Sequence, residues 1–327
     1  MACKGRHTPL GFKIQKEEIQ MRNLKRALSL ALAAIMLIGM MVVSASAASY
    51  NDLTDKDQIV NKDAVSMLVT LGVIEGKPDG SYAPTEGVDR AQMAKMISVI
   101  MNQGVDNGAL YENSPSGLTD ISSHWAKGHI NYCYTTGIIA GRGTGTFDPS
   151  ATVTALEAAK MLLVAVGYDP AIEGFEGADW AINVSVRADE QGIFEGFTKD
   201  LSAPLNRDDA ALLIYNALDV EMIQSYTTNN YPIVYSDHRT ILSDKYGVIK
   251  VEGVVTANEW AILDDDTDTA LQEGKTRIYN PDGILSTTGN TAVAQDSSAN
   301  VKTQVFNVST PVDMLGKAVT MYVKKTT

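Results

Sequence analysis

The chain is poor in cysteine and histidine: 327 residues hold two Cys and four His. If the first 47 residues are removed as a leader, Cys133 is the sole remaining thiol, so no intramolecular disulfide can form, and its place on the inner side of an expected helix reads as a small buried residue. The three histidines of that shorter chain, His124, His129 and His238, belong to no zinc-protease motif and stand beside no identifiable nucleophile. Positive charge is also scarce, with 27 Lys and Arg against 39 Asp and Glu. Seven of the basic residues and two of the acidic ones lie before residue 48, which leaves −17 for the remainder. A nucleic-acid partner is therefore excluded as an expectation, because neutralising phosphate supplies most of such affinity. A cofactor is not expected either. Gly141-Arg142-Gly143-Thr144-Gly145 resembles a phosphate cradle only superficially, since no strand precedes it. Asp264, Asp266 and Asp268 begin a calcium-loop spacing, but Thr269 and Lys275 occupy positions that need Gly and Glu, so a solvated acidic turn is expected there.

Long apolar runs are absent except one. Arg22, Lys25 and Arg26 precede the run Ala27 to Val43, and Ala45-Ser46-Ala47 is an A-x-A cleavage site. Residues 21–47 therefore read as a signal peptide, the mature chain is expected to start at Ala48, and no membrane span is expected after cleavage. Residues 1–20 resemble no leader, and translation is expected to start at Met21. The 45% hydrophobic and 20% charged composition is otherwise that of a globular protein with real cores.

What is present is a repeat. Gly137-Ile138-Ile139 leads through Phe147-Asp148-Pro149 to Thr154 and Glu157, a pair spaced as a capping box at a helix start. Upstream, Gly72-Val73-Ile74 leads over the same 17 steps to Asp89 and Gln92; downstream, Gly192-Ile193-Phe194 leads to Asn206 and Asp209. Apolar residues follow each cap at offsets 4, 7, 8, 11 and 12, one face of a 3.6-residue period, as in Met93, Met96, Ile97, Ile100 and Met101. A helix also precedes each central glycine, and the glycines suit a helix end that needs positive φ. Trp125 and Trp180 share one offset before Gly137 and Gly192, which reads as core, and Val60 takes that place in the first unit. Three helix–turn–helix units are thus expected over 50–103, 118–168 and 178–220, separated by Gly-rich linkers at 103–117 and 167–177. One such pair cannot bury its own stripe, so the three should pack together. From 246 to 327 a small β module is expected, with strands at 246–257, 301–308 and 318–323. Its last strand nearly reaches residue 327, which suggests a minimal domain or a product cut short.

Leu118-Thr119-Asp120-Ile121, His124-Trp125-Ala126, Gly137-Ile138-Ile139, Gly145-Thr146-Phe147-Asp148-Pro149 and Val153-Thr154 together resemble the S-layer homology family. The likeness covers roughly 50–220. It implies a mainly α fold, three repeats in a pseudo-threefold bundle followed here by the small β module. It also implies noncovalent attachment to the wall of a Gram-positive-type bacterium, through an anionic, pyruvylated secondary wall polysaccharide or another peptidoglycan-associated glycan. The family's ligand-contacting arginine maps to Arg90 and Arg207, with Ala155 at the matching place in the second repeat. Both arginines follow an N-cap, where a guanidinium fork beside free N–H groups favours a carboxylate, and both are expected on exposed helix ends. Arg142 is the candidate substitute for the missing arginine; Trp125, as a sugar-stacking ring, and Asp120 complete the candidate set. No catalytic constellation is found, and a binding protein is expected rather than an enzyme. Two alternatives stand beside it: a lattice subunit meeting other S-layer proteins, or the wall anchor of a longer surface enzyme.

Overall fold

The computed structural model describes residues 49–263, 270–284 and 301–324. The expected leader and the calcium-like aspartates fall outside the described residues. Among the described residues no helix is long and apolar enough to cross a membrane, and no group of acidic, His or Cys side chains is placed to hold a metal ion.

Six helices come in pairs: α1 (Lys62–Thr70) and α2 (Arg90–Met101), α3 (Lys127–Thr135) and α4 (Ala155–Ala165), α5 (Trp180–Glu190) and α6 (Arg207–Ala217). The second helix of each pair starts at the expected cap. Asp89 with Gln92 and Thr154 with Glu157 each make both hydrogen bonds of a capping box, whereas Asn206 accepts from the Asp209 N–H without a return bond, because Asp209 is turned to Lys199 instead. The central glycines Gly72, Gly137 and Gly192 hold φ of 72°, 79° and 71°, a region in which a Cβ is strained.

The apolar stripe holds its register in all three units, with two exceptions: Met96 and Met101 are half-buried rather than buried. One continuous apolar cluster runs from Leu53 through all three units to Leu242. It is built between units, not within them. α3 packs on α2, α5 on α4, and α1 on α6, so each first helix lies against the second helix of another unit. The residues just before the three caps close this order with a ring of backbone bonds. The Val88 N–H donates to Leu205 O, Leu205 to Val153 O and Val153 to Val88 O, at 2.9, 2.9 and 3.0 Å. All three side chains are buried.

A fragment spanning 118–167 is therefore expected to remain unfolded, because it holds neither the α2 surface that covers α3 nor the α5 surface that covers α4. Far-ultraviolet circular dichroism of that fragment checks this, and a cooperative melt would contradict it.

The stretch 103–117 is not a free linker. Its residues Gly108–Tyr111 form a 3-10 turn packed on α3, and a Cβ on Gly128 would stand 1.9 Å from Gly108 O. His129 is buried in this contact, with Nδ1 3.1 Å from Ser98 Oγ and Nε2 3.1 Å from Asp106 Oδ1. Burial pushes its pKa below the ordinary 6.5 and outweighs the attraction of Asp106. Below about pH 6.5 the unfolded chain thus binds a proton that the folded chain refuses, and His129 withdraws stability as pH falls toward its folded pKa. The melting temperature is expected to fall less between about pH 7 and pH 5.5 in His129→Asn than in the unsubstituted chain; equal slopes would contradict the assignment.

The C-terminal part begins earlier than expected. A two-stranded antiparallel hairpin, β1 (Ile223–Tyr226) and β2 (Pro232–Val234), is followed by α7 (Ile241–Tyr246), capped by Thr240 and ended by Gly247. Tyr246 thus closes a helix and does not open a strand. The antiparallel sheet that follows has the order β5-β4-β3-β6, from β3 (Val248–Asn258), β4 (Thr276–Ile284), β5 (Val301–Phe306) and β6 (Ala318–Lys324). β4 is not among the strands expected from the sequence. Ile249, Val251, Val255, Ile278 and Phe306 form its own small core. The sheet meets α6 through the Tyr322 and Tyr215 rings, whose hydroxyls are hydrogen-bonded, and meets the residues just after that helix through Lys250 Nζ, 3.5 Å from Asp219.

Candidate binding grooves between the repeats

The order of packing decides where each cap-following residue goes. Because the segment before α2 bonds to the segment before α4, Arg90 of the first unit reaches across to the turn of the second. Its Nε donates to Phe147 O at 2.9 Å, its guanidinium lies 4.5 Å from the Phe147 ring centre, and its NH1 stands 3.5 Å from Glu157 Oε1. By the same step, Arg207 of the third unit reaches the first, donating from Nε to Tyr82 O at 2.8 Å and stacking on the Tyr82 ring at 4.9 Å. Ala155 takes the equivalent place between the second and third units.

Three grooves follow. The first, about 520 Å³, lies between units two and three and is lined by Arg90, the Ile138–Gly143 turn, Glu157, Lys160 and Trp180. The second, about 310 Å³, lies between units one and two and is lined by Arg207, the Gly72–Pro78 turn, Gln92, Lys95 and Trp125. They match position by position. Lys95 and Lys160 stand six residues after their caps, Lys77 and Arg142 share one place in the turn, and Trp125 and Trp180 share one offset. Each groove carries three basic and two acidic residues on a strongly acidic chain. In the third, about 280 Å³, Leu212 replaces the lysine, Val60 the tryptophan and Phe197 the basic turn residue, and Asp208 and Asp209 face a single Lys199.

Several expectations are corrected. Arg90 is not on an exposed helix end: it is 5% exposed, because the turn of the next unit closes over it. Burial, and next the Arg142 guanidinium, lower its pKa. Arg207 is half-buried and forms no ion pair among the described residues; its fork is stacked, with Nε committed to a carbonyl. Arg142 does not serve the groove that lacks the arginine. It lies in the first groove beside Arg90, with NH1 2.9 Å from Glu157 Oε1.

Trp125 is not core but 59% exposed on a groove wall, and Trp180 is half-buried with Lys160 Nζ 5.8 Å from its ring centre. A ring open on one face, beside a cation, suits stacking on a sugar. Asp120 lines none of the three grooves. Its carboxylate accepts from Phe147 N at 2.9 Å and Asp148 N at 2.7 Å, which holds the turn; Asp55 does the same for Tyr82 and Ala83. These backbone donors outweigh desolvation and lower the Asp120 pKa. Lys95 and Lys160 are functional candidates missed in the sequence, although the register that aligned the caps also aligns them.

The family model for the S-layer homology domain matches residues 49–94 and 117–159. The chain is 26% identical to a cell surface protein of Thermoanaerobacter kivui over 270 residues, 82% of this chain and 32% of that one. It is 30% identical to an S-layer protein of Bacillus licheniformis over 151 residues, 46% of this chain and 16% of the relative. An amylopullulanase of Thermoanaerobacterium thermosulfurigenes is 28% identical over 187 residues, 52% of this chain and 10% of the enzyme. The chain thus spans about a third or less of the length of these relatives. The third unit lies outside the family match and has departures of its own: three residues fewer between glycine and cap, and Phe175 where Asp55 and Asp120 brace the turn. Residues 49–94 and 117–159 are S-layer homology domains.

Proposed function

We propose that this chain holds a surface protein noncovalently on the wall of a Gram-positive-type bacterium by gripping an acidic, pyruvylated secondary wall polysaccharide in two of its three grooves. One observation carries the reading. Arginine, lysine and tryptophan are matched in two grooves and are lost together in the third. A solvated surface has no reason to keep or lose three residue types as a set; a site that reads a carboxylate and a sugar face does. The ring of bonds at Val88, Val153 and Leu205 supports a pseudo-threefold bundle of units at 50–103, 118–168 and 178–220; the signal peptide at 21–47 and the outward module at 246–327 belong to this reading on the sequence alone. Arg90, Arg207, Arg142 and Trp125 remain proposed contacts, joined by Lys95, Lys160 and Trp180, while Asp120 acts through the turn.

A second reading is favoured by the relatives' names: an amylopullulanase and an exoglucanase share this region and extend far beyond it, so the same grooves would anchor a longer enzyme. Sedimentation of the mature protein with purified walls tests the anchoring. The protein is expected in the pellet with native walls and in the supernatant once the secondary polymer is stripped; equal pelleting with stripped walls would contradict the polysaccharide assignment.

A further inference from the structure

The two complete grooves share the cap-following arginine, the lysine six residues after a cap and the tryptophan, but they differ in the residue beside the arginine. Three positions after the cap, the first groove has Glu157 and the second has Gln92. Both side chains make the same capping bond, Glu157 Oε2 accepting from Thr154 N at 3.1 Å and Gln92 Oε1 from Asp89 N at 3.0 Å. The other oxygen of Glu157 is what differs. Oε1 stands 2.9 Å from Arg142 NH1 and 3.5 Å from Arg90 NH1, so a carboxylate of the chain itself already lies between the two guanidinium groups of that groove. Gln92 brings no charge to Arg207, for which no carboxylate partner stands among the described residues.

We propose, resting on the glycan reading above, that Glu157 is a built-in competitor for the anionic group of the ligand, and that the two grooves are therefore unequal. The groove of Arg207, Lys95 and Trp125 fills first, and the groove of Arg90, Arg142 and Trp180 fills only when ligand displaces Glu157 from its arginines. The lysines run the other way: in the second groove Lys77 is paired with Glu86, at 36% and 52% side-chain exposure, and Lys95 with Asp106 at 2.9 Å, while Lys160 of the first donates to Phe175 O at 2.5 Å. They do not reverse the order. The Lys95 and Asp106 side chains are 31% and 46% exposed, and such a solvated pair yields readily, whereas Arg90 and Glu157 are 6% and 17% exposed. A guanidinium fork also fits a carboxylate with two parallel bonds, which an ammonium cannot.

The chain carries three tryptophans, one in each complete groove and Trp260 outside both, so their indole N–H resonances report the grooves separately with an internal reference. The titrant is a methyl glucoside bearing a 4,6-linked pyruvate ketal. In the unsubstituted protein the Trp125 signal is expected to reach its midpoint at a concentration roughly tenfold below that of Trp180, the scale of one charge-assisted contact. Glu157→Gln should bring the Trp180 midpoint down to that of Trp125, and Gln92 in the first unit shows that glutamine serves the same capping bond. Gln92→Glu should raise the Trp125 midpoint and leave Trp180 unchanged. Joint movement of both indoles in the unsubstituted protein, or an unmoved Trp180 midpoint in Glu157→Gln, would overturn this proposal and leave the glycan reading standing. Movement of neither indole in any variant would overturn the pyruvylated-ligand reading and this proposal with it.

Discussion

Leu213→Asp is expected to leave the whole helical region unfolded, first and second units included. Leu213 is fully buried on α6, seven residues after the Asn206 cap, and belongs to the apolar cluster that runs through all three units. An unpaired carboxylate at such a site costs several kcal/mol, on the order of the entire stability of a small domain. Leu162→Asp, at 2% exposure on α4, should do the same, and the two variants should be indistinguishable although they sit in different units. The reason is the closed order of packing: α6 covers α1, α2 covers α3, and α4 covers α5, so the loss of one second helix uncovers a first helix elsewhere. Met96, at the same offset, is not equivalent. It is half-buried on the wall of the second groove, and a charge there should damage binding more than folding. Circular dichroism melts check this. A retained transition in Leu213→Asp would mean that the third unit folds apart from the others.

The two cap-following arginines are expected to fail in different ways. Arg90→Ala should lower the melting temperature on the order of 10 °C, because a buried pair is broken and Glu157 and two carbonyls lose a donor, at roughly 3 kcal/mol or more. Arg207→Ala should melt within a few degrees of the unsubstituted chain and lose roughly tenfold to a hundredfold in wall affinity, since its fork is stacked on Tyr82 with no ion pair to break. The chemical identity of the residue is the same in both cases; what covers it is not. Calorimetry beside wall binding separates the two effects, and an equal loss of stability in both variants would contradict the account.

The local part of this architecture is legible in the sequence. Caps, stripe and turn glycines obey short spacings, and Asp89, Thr154 and Asn206 all stand where those spacings put them. What is not legible is contact between units, because it depends on residues far apart in the chain. A helix wheel places Arg90 at an exposed end; only the turn from Ala140 to Phe147, about fifty residues on, buries it. The same holds for Trp125, whose repeated offset reads as core and yet marks a groove wall. Gly108 and Gly128 look like linker and surface helix until their backbones are seen in contact. Lys95 and Lys160 were legible all along, since they share one offset that Leu212 breaks.

The central claim is that wall binding resides in the two complete grooves and not in the third. Pelleting with native walls should compare Arg207→Ala/Lys160→Ala, which removes one cation from each complete groove, with Lys199→Ala in the third, all three chains having first been shown to melt cooperatively. The account predicts that the double variant stays in the supernatant while Lys199→Ala pellets like the unsubstituted protein. Undiminished pelleting of the folded double variant would contradict it.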